Sequence, residues 1–152
     1  MTPFVCNRCG NCCRTFPSMG LTVRDIDAMA RHLGITRQDF ILVYCRVEII
    51  QSWYAYTMAL RPGCPFLQGN RCSVYVARPG ACRRYPAMLP GMRVRDVVPV
   101  APGCALYSMN PDEVLDADER EIDDNYHSMV ETDRYLRLTY LPAIRWKVKG
   151  EG

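Results

Sequence analysis

The feature that most constrains this chain is a run of four cysteines near its N-terminus, in the segment CNRCGNCC at residues 6–13. Cys6, Cys9 and Cys12 have the spacing C-x2-C-x2-C, with which one short loop can direct three thiolates at a single centre, as in ferredoxin-type cluster binding. Cys13 follows Cys12 directly, and neighbouring side chains point in different directions in both strands and helices. We therefore expect Cys13 to serve a second centre.

Four further cysteines stand singly downstream. Because none of them forms the second C-x2-C pair of a zinc ribbon, zinc is the less natural metal and remains the alternative. Eight thiolates suffice for two [4Fe-4S] clusters with four ligands each. The predicted metal ligands are Cys6, Cys9, Cys12, Cys13, Cys64, Cys72, Cys82 and Cys104.

The ninth cysteine and the two histidines are not predicted to be ligands. Cys45 ends an apolar segment at residues 40–45, and a free cysteine in such a setting is often a small buried hydrophobe. His32 and His127 are not placed with the cysteines, so we expect ordinary structural or surface roles for them.

Disulfides are the competing explanation for so many cysteines, because cysteine-rich secreted chains are usually cross-linked. The count of nine is odd, and residues 1–6 lack a basic segment followed by an apolar run. No apolar stretch approaches the roughly 18 residues that a membrane span needs. We therefore expect a cytoplasmic protein that does not span a membrane and whose cysteines bind metal.

The charge is unevenly distributed along the chain. Residues 1–109 contain thirteen Arg, no Lys and five acids, whereas residues 110–152 contain six basic and eleven acidic residues. The first part has no Lys-rich run and no helix-turn-helix pattern, so nucleic acid is not the expected partner. A cluster with four thiolates is an anion that nearby arginines can offset. The candidates beside the cysteines are Arg14, Arg71, Arg78, Arg83 and Arg84.

The pattern along the chain predicts an α+β fold: a small, irregular, cysteine-rich metal-bound domain with a helix pair, a few short strands and a C-terminal helical extension. Thr22 with Asp25 resembles a capping box and Gly34 a helix stop, and Thr36 with Asp39 repeats the start signal for a helix that ends near Cys45. Little regular structure is expected in residues 1–20.

The rest of the chain predicts strands and then a long helix. Residues 47–60 are β-branched and aromatic and predict one or two strands, and residues 92–100 predict another. Asn110-Pro111 begins a predicted helix whose apolar face includes Leu115, Ile122, Tyr126, Met129 and Val130, and which ends at Pro142. We expect a cysteine-cluster metal-binding domain at residues 1–109 and an acidic helical extension packed on it at residues 110–152.

Three of the single cysteines follow Pro-Gly, at residues 62–63, 79–80 and 102–103. Pro-Gly suits the central positions of a type II turn, which would leave backbone N–H groups available to hydrogen-bond sulfur.

Together these motifs resemble the zinc- or iron-chelating CxxCxxCC family, also called YkgJ-like cysteine cluster proteins. The resemblance runs over about the first two thirds of the chain and is carried by residues 6–14, 21–26, 64–67, 72–75 and 78–86. It implies a cysteine-rich metal domain, iron–sulfur in better understood relatives, and no single activity. Some members resemble the flagellin lysine N-methylases, which join such a domain to methyl transfer.

The chain has no Gly-rich loop after a strand for a methyl donor, and it lacks the C-x3-C-x2-C spacing of radical S-adenosylmethionine enzymes. Without an acid, base or nucleophile constellation, the sequence favours a non-enzymatic iron–sulfur protein. Such a protein would sense redox state or oxygen, or transfer electrons, while docked on a larger complex. The alternatives are a subunit or enzyme in methyl transfer and a zinc-stabilised adaptor.

Overall fold

A computed structural model describes the backbone of residues 1–97 and 103–150, and the side chains of residues 143–150 are left undescribed. The helices are α1 (Asn11–Thr15), α2 (Val23–Leu33), α3 (Arg37–Tyr44), α4 (Gly80–Arg84) and α5 (Glu119–Gly150). The strands are β1 (Ser18–Leu21), β2 (Cys45–Ile50), β3 (Trp53–Ala59), β4 (Leu67–Gln68) and β5 (Arg71–Cys72). Short 3-10 helices lie at Tyr75–Ala77, Val94–Asp96 and Ala105–Ser108. The mixed helices and small antiparallel sheets confirm the predicted α+β class.

The predicted helix pair is present with the predicted ends. Thr22 caps α2 in a capping box: its side chain accepts from the Asp25 N–H, and the Asp25 carboxylate accepts from the Thr22 N–H. Gly34 ends α2 in the left-handed region with φ 71°. Thr36 caps α3, which ends at Cys45. Local capping chemistry therefore determines where both helices start and stop.

The three-stranded sheet has the order β1-β3-β2, with both pairings antiparallel. In residues 47–60, predicted as one or two strands, β2 and β3 pair as a hairpin joined by Gln51 and Ser52 with φ 49° and 72°. Positive φ at both loop residues matches the twist of a two-residue hairpin. The expectation of little regular structure in residues 1–20 is wrong, because β1 pairs along β3 and α1 precedes it. Pairing with a distant strand stabilises β1, which local propensity does not predict.

The long helix α5 begins later than predicted. The Asn110 side chain accepts from the Asp112 N–H and forms a turn instead of a cap, and Leu115 is fully buried in a second core. Asp118 caps α5 by accepting from the Arg120 and Glu121 N–H groups. The segment around Leu115 is buried where it pairs with the chain at Thr2. This tertiary packing overrides the local helix-start signal at Asn110.

The buried face and the end of α5 also differ from the prediction. Tyr126, Met129 and Val130 are exposed, whereas Ser128, Thr132 and Leu136 are buried; the expected apolar face is therefore wrong. Short polar side chains let α5 approach α2 closely, and the Thr132 hydroxyl accepts from the Val23 N–H at 2.9 Å and donates to the Ser128 carbonyl. The predicted end at Pro142 is wrong too, since this proline lies inside the helix.

Two apolar cores support the cysteine-bearing loops. The first joins α2, α3, the sheet and α5, with Ile26, Phe40, Met58 and Leu136 almost fully buried. The second packs Val94, Leu106 and Leu115 with neighbouring side chains. The strand predicted at residues 92–100 is wrong for its described part, which contains a 3-10 helix, and residues 98–100 lie outside the described part. The division of the chain at residue 109 stays a prediction.

Candidate metal centre

The N-terminal cysteine loop, residues 6–13, turns sharply before it enters α1. Arg8 has φ 53° and Gly10 has φ 75°, so the backbone reverses twice within three residues. Cys6 and Cys9 lie in the loop, whereas Cys12 and Cys13 lie in the first turn of α1. In that helical turn consecutive side chains diverge by about 100°.

Arg14 fastens this loop to the turn between β4 and β5. Its guanidinium donates to the Gly69 carbonyl at 2.6 Å, to Asn70 Oδ1 at 2.7 Å and to the Cys9 carbonyl at 3.2 Å. A Cβ at Gly10 would lie 2.9 Å from Arg14 Nη1, so a glycine there leaves space for the guanidinium as well as permitting the positive φ. Arg14, predicted to offset cluster charge, serves here as a clamp between two cysteine-bearing segments.

Backbone and amide hydrogen bonds bring two downstream cysteines to the same loop. The Cys64 N–H donates to the Cys13 carbonyl at 2.8 Å. The Asn7 side chain donates to the carbonyl of Gly103, the residue before Cys104, at 3.0 Å. Segments separated by 51 and 96 residues therefore meet the N-terminal cysteines directly.

The Cys13 thiol lies within hydrogen-bonding reach of both the Cys12 and the Cys64 sulfurs. Side-chain hydrogen bonding with Cys12, followed by that with Cys64, raises the pKa of Cys13. The hydrogen bond from Cys13 lowers the pKa of Cys12 to about 6 and that of Cys64 to about 7. The three sulfurs form a contiguous group at the start of α1.

The remaining candidate sulfurs fall into two sets, here called two sides, according to which thiolate charges act on them. Burial raises the pKa of Cys82 to about 12, and charges on Cys12, Cys64 and Cys72 raise it further. Cys64 and Cys72 pack against the first apolar core. These interactions place Cys82 in one set with Cys64 and Cys72, which we call the first side.

The second side contains Cys104 and the loop cysteines. Burial raises the pKa of Cys104, and charges on Cys9, Cys6 and Cys12 add to the effect. Cys104 packs against the second apolar core. Cys12 therefore borders both sides, and Cys13 lies beside it toward Cys64.

Backbone N–H groups are directed at several of the candidate sulfurs, and for four of these sulfurs one donor is the residue two positions later. The Pro-Gly turns predicted to supply such donors are not type II turns at Gly63 or Gly80, neither of which has a positive φ. Gly103 has φ 81°, as a type II turn requires, while Pro102 lies outside the described residues. The donor and acceptor pairs are Arg8 with Cys6 at 3.3 Å, Phe66 with Cys64, Val74 with Cys72 and Leu106 with Cys104.

Two arginines lie over one aromatic ring beside Cys72. The guanidinium carbons of Arg8 and Arg78 are 4.3 and 4.0 Å from the Tyr75 ring centroid. The Arg78 charge also lowers the pKa of Cys72, although burial raises that pKa overall. Arg78 is thus the predicted arginine whose charge acts on a candidate ligand, whereas Arg71 is exposed in β5.

The other two predicted arginines face the acidic start of α5. Arg83 forms an ion pair with Glu121 at 2.7 Å and donates to the Arg78 carbonyl. Arg84 is half-buried, and burial lowers its pKa against the opposing charges of Asp25 and Glu121. These arginines join α4 to α5 and do not simply offset cluster charge.

Two residues near Cys82 were missed by the sequence analysis. The buried carboxylate of Asp25, predicted to cap α2, also accepts from the Gly80 N–H at 2.9 Å and so caps α4, the helix that carries Cys82. Met19 on β1 lies with its Sδ 3.4 Å from Cys82 Sγ. The capping box revealed Asp25 in the sequence, but its contact with Gly80 and the position of Met19 depend on tertiary packing.

The cysteine and the two histidines predicted not to be ligands have the following surroundings, and their exclusion from the site stays a prediction. Cys45 is half-buried where α3 meets β2, and burial raises its pKa to about 12. His32 Nε2 is 3.4 Å from the Ser73 carbonyl oxygen, and the His127 ring packs edge-on against Tyr126.

The chemistry of the sulfur donors fits a thiophilic metal or an iron–sulfur cluster. All nine cysteines lie within the described residues and are free. No three His, Cys, Asp or Glu side chains in this part of the chain are arranged around a common metal position. The eight candidate thiols therefore do not form a finished ligand set, and metal binding would have to draw the sulfurs together, as happens when metal binding is coupled to folding.

Comparison with known families agrees with this donor set. Residues 5–120 match the family model CxxCxxCC, described as "Putative zinc- or iron-chelating domain". Neither the curated proteins nor the solved structures contain a significant match to the chain. In the described residues, no helix combines the length and the apolar character that crossing a bilayer demands. Because the family match spans most of the chain and includes all eight candidate cysteines, the protein belongs to the CxxCxxCC family of zinc- or iron-chelating domains.

Proposed function

We propose that this protein binds two [4Fe-4S] clusters and acts as a redox or oxygen-sensing, electron-transfer accessory protein that docks on a larger enzyme complex. The observation that supports it is the grouping of eight free thiols on two sides of the adjacent pair Cys12 and Cys13. Four thiolates per side match the usual ligand number of a cubane cluster.

The contacts suggest which thiols share a centre. One set comprises Cys6, Cys9, Cys12 and Cys104, of which Cys104 packs against the second core. The other comprises Cys13, Cys64, Cys72 and Cys82, of which Cys64 and Cys72 pack against the first core. Although their sulfurs are adjacent, we assign Cys12 and Cys13 to different sets, because the Cys12 charge acts on Cys104 whereas the Cys13 thiol interacts with Cys64.

A bound cluster would supply one-electron redox chemistry, and the chain's own groups would set its environment. N–H groups directed at Cys6, Cys64, Cys72 and Cys104 stabilise thiolate charge. Arg78 adds a positive charge near Cys72. Cys6 is exposed, so electrons could enter or leave through a partner bound at the N-terminal loop.

The test is a count of iron, zinc and acid-labile sulfide per chain after oxygen-free purification. About eight irons with matching sulfide are expected for two cubanes. Zinc without sulfide would reject the clusters in favour of the zinc-stabilised adaptor, which the family description equally allows.

Single substitutions test the assignment to two sets. Cys104→Ser and Cys82→Ser should each remove about four irons, and the paramagnetic resonance signals that remain after reduction should differ between them. Cys45→Ser, the matched control outside both sets, should retain all the iron. Loss of iron in the control, or identical residual spectra in the first two variants, would contradict the assignment.

A further inference from the structure

Strand β2 lies at the edge of the three-stranded sheet. The order β1-β3-β2 leaves one side of β2 without a neighbouring strand in the described part of the chain. Such an edge can pair with another chain through its backbone N–H and C=O groups, and proteins commonly protect it with prolines or bulges. Strand β2 contains no proline, and its pairing with β3 runs unbroken over Cys45–Ile50. The edge is therefore regular along its whole length.

The hairpin determines which backbone groups of β2 point to this edge. The two residues that flank a two-residue turn exchange both hydrogen bonds, and bonded and non-bonded pairs then alternate along the strands. The even-numbered residues of β2 therefore bond β3, whereas Cys45, Val47 and Ile49 direct their groups outward. The Cys45 N–H already donates to the Ile41 carbonyl at the end of α3. The Cys45 carbonyl and both groups of Val47 and Ile49 are left for a neighbouring chain.

Two opposite charges lie on the solvent face of the same edge strand. Arg46 and Glu48 are exposed, and across the sheet they lie opposite the uncharged Thr57 and Ala55 of β3. Neither takes part in an ion pair among the described residues. An antiparallel strand with an acid and a base in the reverse order would place an opposite charge across from each of them. Strand β2 of a second copy has this order.

We propose that β2 pairs antiparallel with β2 of a second copy of this chain, which joins two three-stranded sheets into one sheet in a two-fold symmetric dimer. With Val47 opposite Val47 of the partner subunit, Arg46 lies opposite the partner subunit's Glu48. The Val47 groups bond each other, and the Ile49 N–H donates to the partner's Cys45 carbonyl. Positions 46 and 48 form non-hydrogen-bonded pairs, in which opposing side chains lie closest.

The charges select this register among its neighbours. Pairing centred on position 46 would place two arginines opposite each other, and pairing centred on position 48 would do the same with two glutamates. Like charges directly opposite each other destabilise a sheet, so both neighbouring registers are disfavoured.

Exposed apolar side chains flank the proposed interface at both ends. Leu42 and Val43 precede β2 and are 81% and 69% exposed, and Ile49 and Ile50 at its other end are 63% and 43% exposed. The antiparallel register brings the end of α3 of each copy to the end of β2 of the other. Burial of apolar surface at both ends then adds to the backbone hydrogen bonds.

The experiment measures the association of the full-length protein by sedimentation velocity at increasing concentration, in reducing buffer so that intermolecular disulfides do not contribute. The wild type is expected to dimerise. Arg46→Glu and Glu48→Arg should each raise the dimer dissociation constant at least about tenfold, because each places like charges opposite each other twice. Arg31→Glu, at an exposed position on α2, is the matched control and should dimerise like wild type. Circular dichroism verifies that each variant is folded.

A mixture of Arg46→Glu and Glu48→Arg tests the register itself. In the mixed dimer one copy has acids at both positions and the other has arginines, so the mixture should associate as tightly as wild type. A monomeric wild type, a dimer that either reversal leaves intact, loss of the dimer in Arg31→Glu, or a mixture that does not associate would overturn the inference. The dimer requires no bound metal, so this proposal and the proposed function, which the iron and sulfide count tests, can fail separately.

Discussion

At the scale of single residues, side chains next to the cysteines determine how the loops meet. Arg14 is the clearest case, because it bonds the Cys9 carbonyl and the β4–β5 turn at once. Its position directly after Cys13 suggests charge compensation, but its contacts are with carbonyl and amide oxygens. The Arg14 guanidinium therefore holds two cysteine-bearing segments next to each other.

Arg14→Ala should destabilise the protein by about 1 kcal/mol, because two good hydrogen bonds from an exposed guanidinium are lost. It should also weaken metal retention, since the N-terminal cysteine loop is no longer tied to residues 69–70. Urea unfolding and the rate of metal loss to a chelator measure the two effects. Arg31→Ala, an exposed arginine in the last turn of α2, is the control. Equal effects of the two substitutions would contradict the role of Arg14 as a clamp between the two segments.

At the scale of elements, caps and hairpin turns agree with the local sequence. Gly34 has φ 71°, and no atom lies within 4 Å of the position that a Cβ would take. The free-energy cost of replacing it with another residue is therefore purely conformational. Gly34→Ala should lower the free energy of unfolding by about 1 kcal/mol. Gly20→Ala, also in open space but without a positive φ, should not destabilise. Thermal or urea denaturation of both variants measures the difference. Similar stabilities would contradict the role of Gly34 in ending α2.

The docking of α5 on β3 should depend on pH through Asp133. Its carboxylate accepts from Arg137 Nε and from the Tyr54 N–H, and the Arg137 hydrogen bond is the main cause that lowers the pKa of Asp133. A carboxyl with a lowered folded-state pKa stabilises the protein above its unfolded pKa and loses that contribution as the pH falls through the folded value. Asp133 should therefore stabilise at neutral pH and not in strong acid.

Asp133→Ala tests this expectation against wild type in urea unfolding at several pH values. The variant should be less stable by about 1 kcal/mol at pH 7, because the Tyr54 N–H and Arg137 lose their acceptor. The difference should shrink below about pH 4, where the unfolded-state carboxyl becomes protonated. Asp124→Ala, an exposed acid on the same helix, is the control. A difference independent of pH would assign the effect to packing instead of charge.

At the scale of the whole molecule, the candidate metal ligands lie outside the buried residues of the cores, although Cys64, Cys72 and Cys104 pack against their edges. The first core is built from side chains such as Ile26, Phe40 and Leu136, whereas the candidate ligands lie in loops, short helices and the two-residue strand β5. Removal of metal should therefore loosen the loops without unfolding the sheet.

Hydrogen exchange of metal-loaded and metal-free reduced protein measures this separation. Residues 6–13 and 64–72 should lose protection on metal removal, while β2, β3 and the adjoining face of α5 should keep theirs. Uniform loss of protection would mean that the metal holds the entire fold, as in small zinc domains. Unchanged protection everywhere would contradict metal binding by these loops.

The sequence by itself determined those features that depend on neighbours within a few residues. The caps at Thr22 and Thr36, the stop at Gly34 and the β2–β3 hairpin follow from side chains that hydrogen-bond three residues away or from a two-residue turn. Short motifs at residues 6–14, 21–26, 64–67, 72–75 and 78–86 likewise indicated the family.

Only the tertiary structure decided the features that depend on distant contacts. β1 exists because it pairs with β3, and α5 starts at Glu119 because the preceding segment is buried at Leu115. The thioether of Met19 meets Cys82 across 63 residues of sequence. Local patterns cannot rank such contacts, because their free energy comes from burial and hydrogen bonding between segments that only the complete fold brings together.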